Sequence, residues 1–507
     1  MNKQNYKEIL TIAFPAMGEN LLQMLMGVVD SYLVASIGIV ALSGVSLANN
    51  ILAVYQAVFI ALAAAVSSRL AQALGEGGSE GIGGTASESV KFTVFIGLLL
   101  GIFSVLAGPI VLTSLGAESE VVQAGGLYLI LVGGGASFLG LMTSLSAILR
   151  TLGEPRFPMY ISLLSNVLNA LFSAFAVFVL HAGVAGVAIG TVLSRLIGCS
   201  LLWSRLPISL KPWTWSFDKE LLRLALPATG ERLMMRVGDV VVVALITSLG
   251  TATVAGNAIG ETLTQFNYMP ALGIATATII LTAKHRQDKA TVRHIFRTSF
   301  GLSLLFMFLV AGVTCFAGPF LIDLYTKDIQ AAQASQTVLF YAMLGVPFTA
   351  GTLILTALWQ GLGNARLPFY ATTIGMWLVR IGIAYLLITF FKIGLSAIWI
   401  ATILDNAFRA GVLFFSIGIQ NKNQFKIRLR KFSVSFKLVA IYYIQARNSE
   451  QLSFSYNLLE NSRPRSAVFV FRRILEVCLV YIRPSFHLKV SLSLSRKRQR
   501  ARYHIIS

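Results

Sequence analysis

AFPAMGENLLQMLMGVVDSYLVASIGIVALSGVS, residues 13 to 46, is the stretch whose reading decides the fold. It reads as a membrane helix with a proline, Pro15, near its start and a single carboxylate, Asp30, far inside it. A second copy, ALPATGERLMMRVGDVVVVALITSLGTATVAGNA, occupies residues 225 to 258. At an offset of 212 the pairs Pro15/Pro227, Ala16/Ala228, Gly18/Gly230, Glu19/Glu231, Leu21/Leu233, Ser36/Ser248, Gly38/Gly250 and Gly44/Gly256 are identical. Chance readily matches one apolar residue to another; it seldom matches Pro, Gly and Glu together. Asp30 aligns with Val242, so the copies differ where chemistry would sit.

The duplication extends past this helix. LGEPRFPMY at 152–160 matches LGNARLPFY at 362–370, and GVAGVAIGTVL at 183–193 matches GLSAIWIATIL at 394–404. Between and around these landmarks, apolar runs recur from residue 10 to residue 418. Each exceeds the roughly 20 residues that span a bilayer as a helix. Composition agrees: 56% of the 507 residues are hydrophobic and 12% charged, against about 25% charged in soluble domains. The chain therefore reads as an all-α polytopic membrane protein without a cleavable signal peptide.

Twelve helices are expected, at about 8–35, 43–74, 90–114, 121–150, 158–181, 184–206, 219–248, 254–283, 293–317, 331–361, 367–391 and 395–419. Breaks fall at GEGGSEGIGG (75–84), GEPRFP (153–158) and GNARLP (363–368). Each half then holds six spans, so the copies run parallel, as pseudo-symmetric lobes around a central cavity. The expected divisions are 1–206, 207–420 and a tail, 421–507. Loop charge orients the whole. Lys3, Lys7, Lys91, Arg150, Arg156, Arg205, Lys284, Arg286, Lys289, Arg293, Arg297 and Arg366 fall on one side; Lys327 and Lys392 fall on the other. The basic side is cytoplasmic by the positive-inside rule, which puts both termini there.

The tail holds 18 of the 41 basic residues and 3 of the 21 acidic ones. It has no adequate span, and it reads as a non-native extension of no recognisable fold. An anionic-lipid or nucleic-acid arm is the alternative. Cys199, Cys315 and Cys478 are far apart and suggest neither disulfides nor a metal site.

Charges at membrane depth are costly, commonly about 2.5–3.5 kcal/mol or more, so each needs a partner or a role. Asp30 has no basic residue one turn away on its own helix, which suits a site that binds a proton or cation. Glu231, Asp239, Glu261 and Gln265 are candidates for the wall of a substrate cavity. Asp239 is spaced to pair with Arg236, and Asp405 with Arg409. Pro15 and Pro227 are hinges or static kinks.

The proline-led helix with Asp30 fifteen residues on, the LGEPRFP loop, the GVAGVAIGT stretch and LPATGERLMMRVG together resemble the multidrug and toxic compound extrusion (MATE) family, in its Gram-positive, DinF-like form. The resemblance covers about residues 8 to 420. It implies a secondary antiporter of the cell membrane that exports organic cations and other amphipathic compounds in exchange for H⁺ or Na⁺. It implies no enzyme activity, no cofactor beyond the coupling ion and no nucleic-acid partner, and the protein is expected to be a monomer in the lipid bilayer. The family's first-lobe cation site maps onto Asp30, Asn169 and Thr191, with Ser173 where DinF-like members carry a second acid. Met235 stands where NorM-type members carry a second-lobe glutamate. A lipid-linked oligosaccharide flippase is the alternative within transport, and a membrane enzyme the alternative outside it.

Overall fold

The computed structural model describes residues 3–76, 79–114, 116–207 and 218–419; the 421–507 tail lies outside them. Among the described residues the structure is helical and has no strand. The first half is built from α1 (Lys3–Ala35), α2 (Ile39–Gly75), α3 (Ser79–Ser114), α4 (Ser119–Gly133 and Ala136–Thr151), α5 (Arg156–Phe178) and α6 (Gly183–Ser204). The second is built from α7 (Lys219–Thr247), α8 (Thr251–Lys284), α9 (Lys289–Phe316), α10 (Ile329–Gly361), α11 (Arg366–Thr389) and α12 (Leu395–Ile419). The described residues up to Leu413 belong to one compact unit.

Ten of these helices are long and apolar enough to cross a bilayer, and α4, bent by 44° at its break, makes eleven. The twelfth is α7, which is 29 residues long but carries Glu231, Arg232, Arg236 and Asp239. Two of these charges, Glu231 and Asp239, find partners on neighbouring helices.

The repeat is visible in local geometry. Gly38 and Gly250 precede α2 and α8 with φ of 146° and 105°, backbone that side chains with a Cβ rarely adopt. Six residues later Gly44 and Gly256 permit close crossings. A Cβ on Gly44 would lie 2.6 Å from the Gly125 nitrogen on α4, and one on Gly256 would lie 2.3 Å from the Ala331 carbonyl on α10. Equivalent residues thus perform the same packing task in each half.

Four elements differ from the sequence reading. The helix expected from residue 90 begins at Ser79. Thr85, Ala86, Ser87 and Ser89 are buried and Lys91 pairs with Glu88, so tertiary packing overrides the weak helix propensity of the glycines. A short helix, Gly318–Tyr325, with a proline in its first turn, follows α9. Residues Leu129–Gly133 of α4 and Gly375–Gly382 of α11 wind as π-helix, which no local sequence signal marks.

The halves meet along α1 against α8, and along α2 against α7 and α8. Because α1 corresponds to α7 and α2 to α8, the contact is itself two-fold in character. The turn between α8 and α9 closes on Asp288, which caps α9 by accepting from the Ala290 and Thr291 nitrogens at 2.9 and 3.2 Å. The hydrogen bonds from Thr291 and Ala290 hold the Asp288 carboxyl below the usual range.

Candidate functional site

In the first half, four helices bring polar groups to one buried point. Asp30, on α1, is 7% exposed. The Asn169 side-chain amide on α5 donates to its Oδ1 at 2.6 Å. One turn further along α5, Ser173 Oγ donates to Asn169 Oδ1 at 3.3 Å, which turns the amide nitrogen toward Asp30. Thr191, on α6, donates to the Val187 carbonyl at 2.9 Å and lies beside the Tyr128 hydroxyl from α4. Asn169, Ser173 and Thr191 are wholly buried. The four positions singled out in sequence are therefore gathered in one cluster.

Two members of the cluster were not assigned to it from sequence. Tyr128 sits in an apolar run and has no motif around it. Arg195 lies one turn from Thr191 on α6, half-buried, and its charge acts on Asp30 and Tyr128. Same-helix spacing, which left Asp30 without a cation, has no access to one on another helix. The carboxylate is thus met by one amide donor, with a guanidinium on a second helix acting on it through its charge.

The second half is wired differently. Asp239 does not pair with Arg236, three residues before it. Arg380, in the π-helical part of α11, reaches it at 3.3 Å. The Asp239 side chain remains 40% exposed. Glu261, on α8, lies one turn from Asn257 and within Coulombic reach of Arg380 and Asp239. Asn257 in turn accepts from Trp399 Nε1 at 3.1 Å. Gln265 is exposed one turn along α8 from Glu261. Asp239, Glu261 and Arg380 therefore form one neighbourhood, with Gln265 beside it. Glu231 stands apart, buried, accepting from Thr372 at 3.1 Å and Gln360 at 3.4 Å. Its repeat partner Glu19 pairs with Arg150 at 2.7 Å. Both glutamates tie their helix to neighbours, and each follows a proline, Pro15 or Pro227, that lies inside an unbroken helix. Asp405 and Arg409 pair at 2.8 Å on α12, as their spacing suggested.

Bonds between the halves gather at the end carrying the 75–84 and 284–289 segments. Arg69 of α2 holds Asp218 at 3.2 Å and Glu220 at 3.1 Å. Arg286 pairs with Glu76 and donates to Gln72 at 3.0 Å. Ser68 donates to the Gln360 carbonyl at 2.7 Å. Within α1, residues Ile9, Ile12, Ala13, Ala16 and Glu19 are buried, whereas Leu25, Val28, Val29 and Tyr32 are exposed. The halves are thus bonded to each other at the basic end, and beyond it α1 keeps Asp30, Leu33 and Val34 buried while its other face is exposed. Among the described residues no cluster of three His, Cys, Asp or Glu side chains is placed to hold a metal ion.

A family model described as MatE matches residues 15–175 and again 227–386, so each match starts at one of the repeated prolines. A probable multidrug resistance protein NorM of Thermotoga maritima is 31% identical over 441 residues, 84% of this chain and 95% of its own length. A multidrug export protein MepA of Staphylococcus saprophyticus is 23% identical over 384 residues, 71% of this chain and 82% of its own. Among solved structures, a MATE protein in a bent conformation aligns with a TM-score of 0.77 at 21% identity, covering 85% of this chain and 97% of its own. An outward-facing multidrug resistance MATE transporter aligns at 0.76 and 21%, covering 82% and 96%.

Proposed function

The chain belongs to the MatE family, and on that premise we propose that it is a secondary antiporter that exports drugs and other small amphipathic or cationic compounds across the cell membrane in exchange for H⁺ or Na⁺. The observation that carries the mechanism is the buried cluster of Asp30, Asn169, Ser173 and Thr191 inside one lobe of a duplicated bundle. The coupling ion binds at Asp30 from outside; its neutralisation repacks α1 against α5 and α6. The drug, bound from inside near Asp239, Glu261 and Gln265, favours the ionised lobe. Each ligand prefers a different state, so each weakens the other, and linkage makes the effect reciprocal. The relatives named for multidrug resistance favour this reading over a lipid-linked oligosaccharide flippase. So do the acids matched to deep arginines, Asp239 to Arg380 and Asp405 to Arg409.

The deciding experiment is efflux of a fluorescent organic cation from everted vesicles, with pH and Na⁺ gradients imposed separately. Efflux driven by one gradient and collapsed by the matching ionophore supports the antiporter. Efflux that ignores both gradients refutes it.

Both termini lie in the cytoplasm on this reading. Reporter fusions after Ser248 and Phe391 are expected to register as outside, and one after Ala290 as inside. The reversed pattern would overturn the loop-charge argument.

The ion pairs at the basic end then hold the cytoplasmic mouth shut while the outer side is open. Half-buried pairs of this kind contribute about 1 kcal/mol, roughly fivefold in a two-state equilibrium. In a background with the native cysteines replaced by Ser, Ala283→Cys is a buried reporter beside the Arg286 pairs. Adding Arg69→Gln and Arg286→Gln should speed its labelling by an impermeant maleimide from the cytoplasmic face severalfold. An unchanged rate would show that these pairs do not latch the mouth.

A further inference from the structure

On α9, residues four apart form one ridge that winds along the exposed side of the helix: Lys289, Arg293, Arg297, Gly301, Leu305, Leu309 and Val313. The first three are cationic and exposed. The last three are apolar, at 53%, 57% and 66% exposure. Between them Gly301 leaves a gap, since a Cβ there would meet nothing within 4 Å. The ridge therefore changes character once, from charge to hydrocarbon, with open space at the change. From Lys289 to Arg297 it rises about 12 Å, and from Arg297 to Val313 about 24 Å more.

The charges call for an explanation. Like charges four apart on a helix repel, and among the described residues no acid pairs with any of the three. The nearest carboxylate in sequence, Asp288, is engaged in capping α9. The cation of the preceding turn, Arg286, is engaged by Glu76, so it does not belong to the free set. An anion from outside the chain is what the ridge lacks. That anion must also carry an apolar portion long enough to lie on Leu305, Leu309 and Val313.

We propose that this ridge is a binding site for one anionic phospholipid. Its phosphate sits between Arg293 and Arg297, where guanidinium groups supply paired N–H donors matched to phosphate oxygens. Its glycerol backbone lies over Gly301 and an acyl chain follows the apolar half of the ridge. The inference is independent of the transport reading, because α9 carries none of the groups assigned to coupling or substrate.

Native mass spectrometry of the full chain, delipidated and then offered phosphatidylglycerol or phosphatidylcholine of the same acyl chains, tests it. The unaltered protein should retain phosphatidylglycerol at least tenfold better, and the preference should shrink as salt is raised. Arg293→Gln with Arg297→Gln should abolish the preference, while Arg293→Lys with Arg297→Lys, which keeps the charge and loses the paired donors, should retain only part of it. Leu305→Ser with Leu309→Ser should weaken retention of the lipid. Equal retention of the two lipids by the unaltered protein overturns the proposal without recourse to any variant. So does a preference that survives the double Gln change, and so does displacement of the lipid by millimolar inorganic phosphate, which would mark a free-phosphate site.

Discussion

Asp30→Asn is expected to reach the membrane at the level of the unaltered protein and to lose ion-driven efflux. The normal level follows from geometry. Asn169 donates its amide proton to Asp30 Oδ1 at 2.6 Å, and an asparagine at position 30 still offers a carbonyl oxygen there. The shape is kept, and a buried charge is removed. The lost efflux follows from chemistry. An amide neither binds nor releases a proton near neutral pH, and it brings no net charge to a sodium ion. The lobe then has one state, whatever the gradient. Allosteric couplings between two ligands typically amount to 5–150-fold in affinity, and efflux should fall by roughly that factor. The measurement is drug efflux from everted vesicles with protein quantified in the same membranes. If Asp30→Asn pumps normally, the coupling site moves to Glu231, Asp239 or Glu261.

Asp405→Asn should fail at an earlier stage, in assembly. Asp405 is wholly buried and Arg409 nearly so, with 2.8 Å between them. Removing one partner of a buried ion pair costs about 3–5 kcal/mol, because the other charge is left uncompensated. The remaining contacts of Arg409, to Asn406 Oδ1 at 3.2 Å and the Met235 sulfur at 3.9 Å, do not neutralise it. The pair is also closely walled. A Cβ on Gly375 would lie 2.3 Å from Asp405 Oδ1, so Gly375→Ala should give the same loss. Gel filtration of a fluorescent fusion measures the folded fraction. Asp405→Leu combined with Arg409→Met removes both charges and is expected to recover much of the yield. If the double change is no better folded than Asp405→Asn, the uncompensated charge is not the cause.

The contrast between Asp405 and Asp239 shows what local spacing conveys. The Asp405 partner is four residues away on the same helix, so the pattern alone names it. The Asp239 partner, Arg380, is 141 residues away, and Arg236, the spacing's choice, is not it. Asn169, Ser173 and Thr191 were reached through family resemblance and not from their own residue types, which more often pack helices. Tyr128 and Arg195 carried no such label, and only the meeting of α4, α6 and α1 brings them to Asp30.

The sequence by itself determined the helical membrane class, the duplication and the position of most spans. Hydropathy, glycine, proline and loop charge act within a few residues, and a bilayer leaves the backbone no alternative to satisfying its own hydrogen bonds. Tertiary structure alone decided where α3 begins, where α4 and α11 wind as π-helix, which cations answer Asp30 and Asp239 and at which end the halves are bonded together. The pairings among them depend on side chains more than a hundred residues apart meeting in a low-dielectric interior. There, a charge takes whatever partner the packing of whole helices delivers to it.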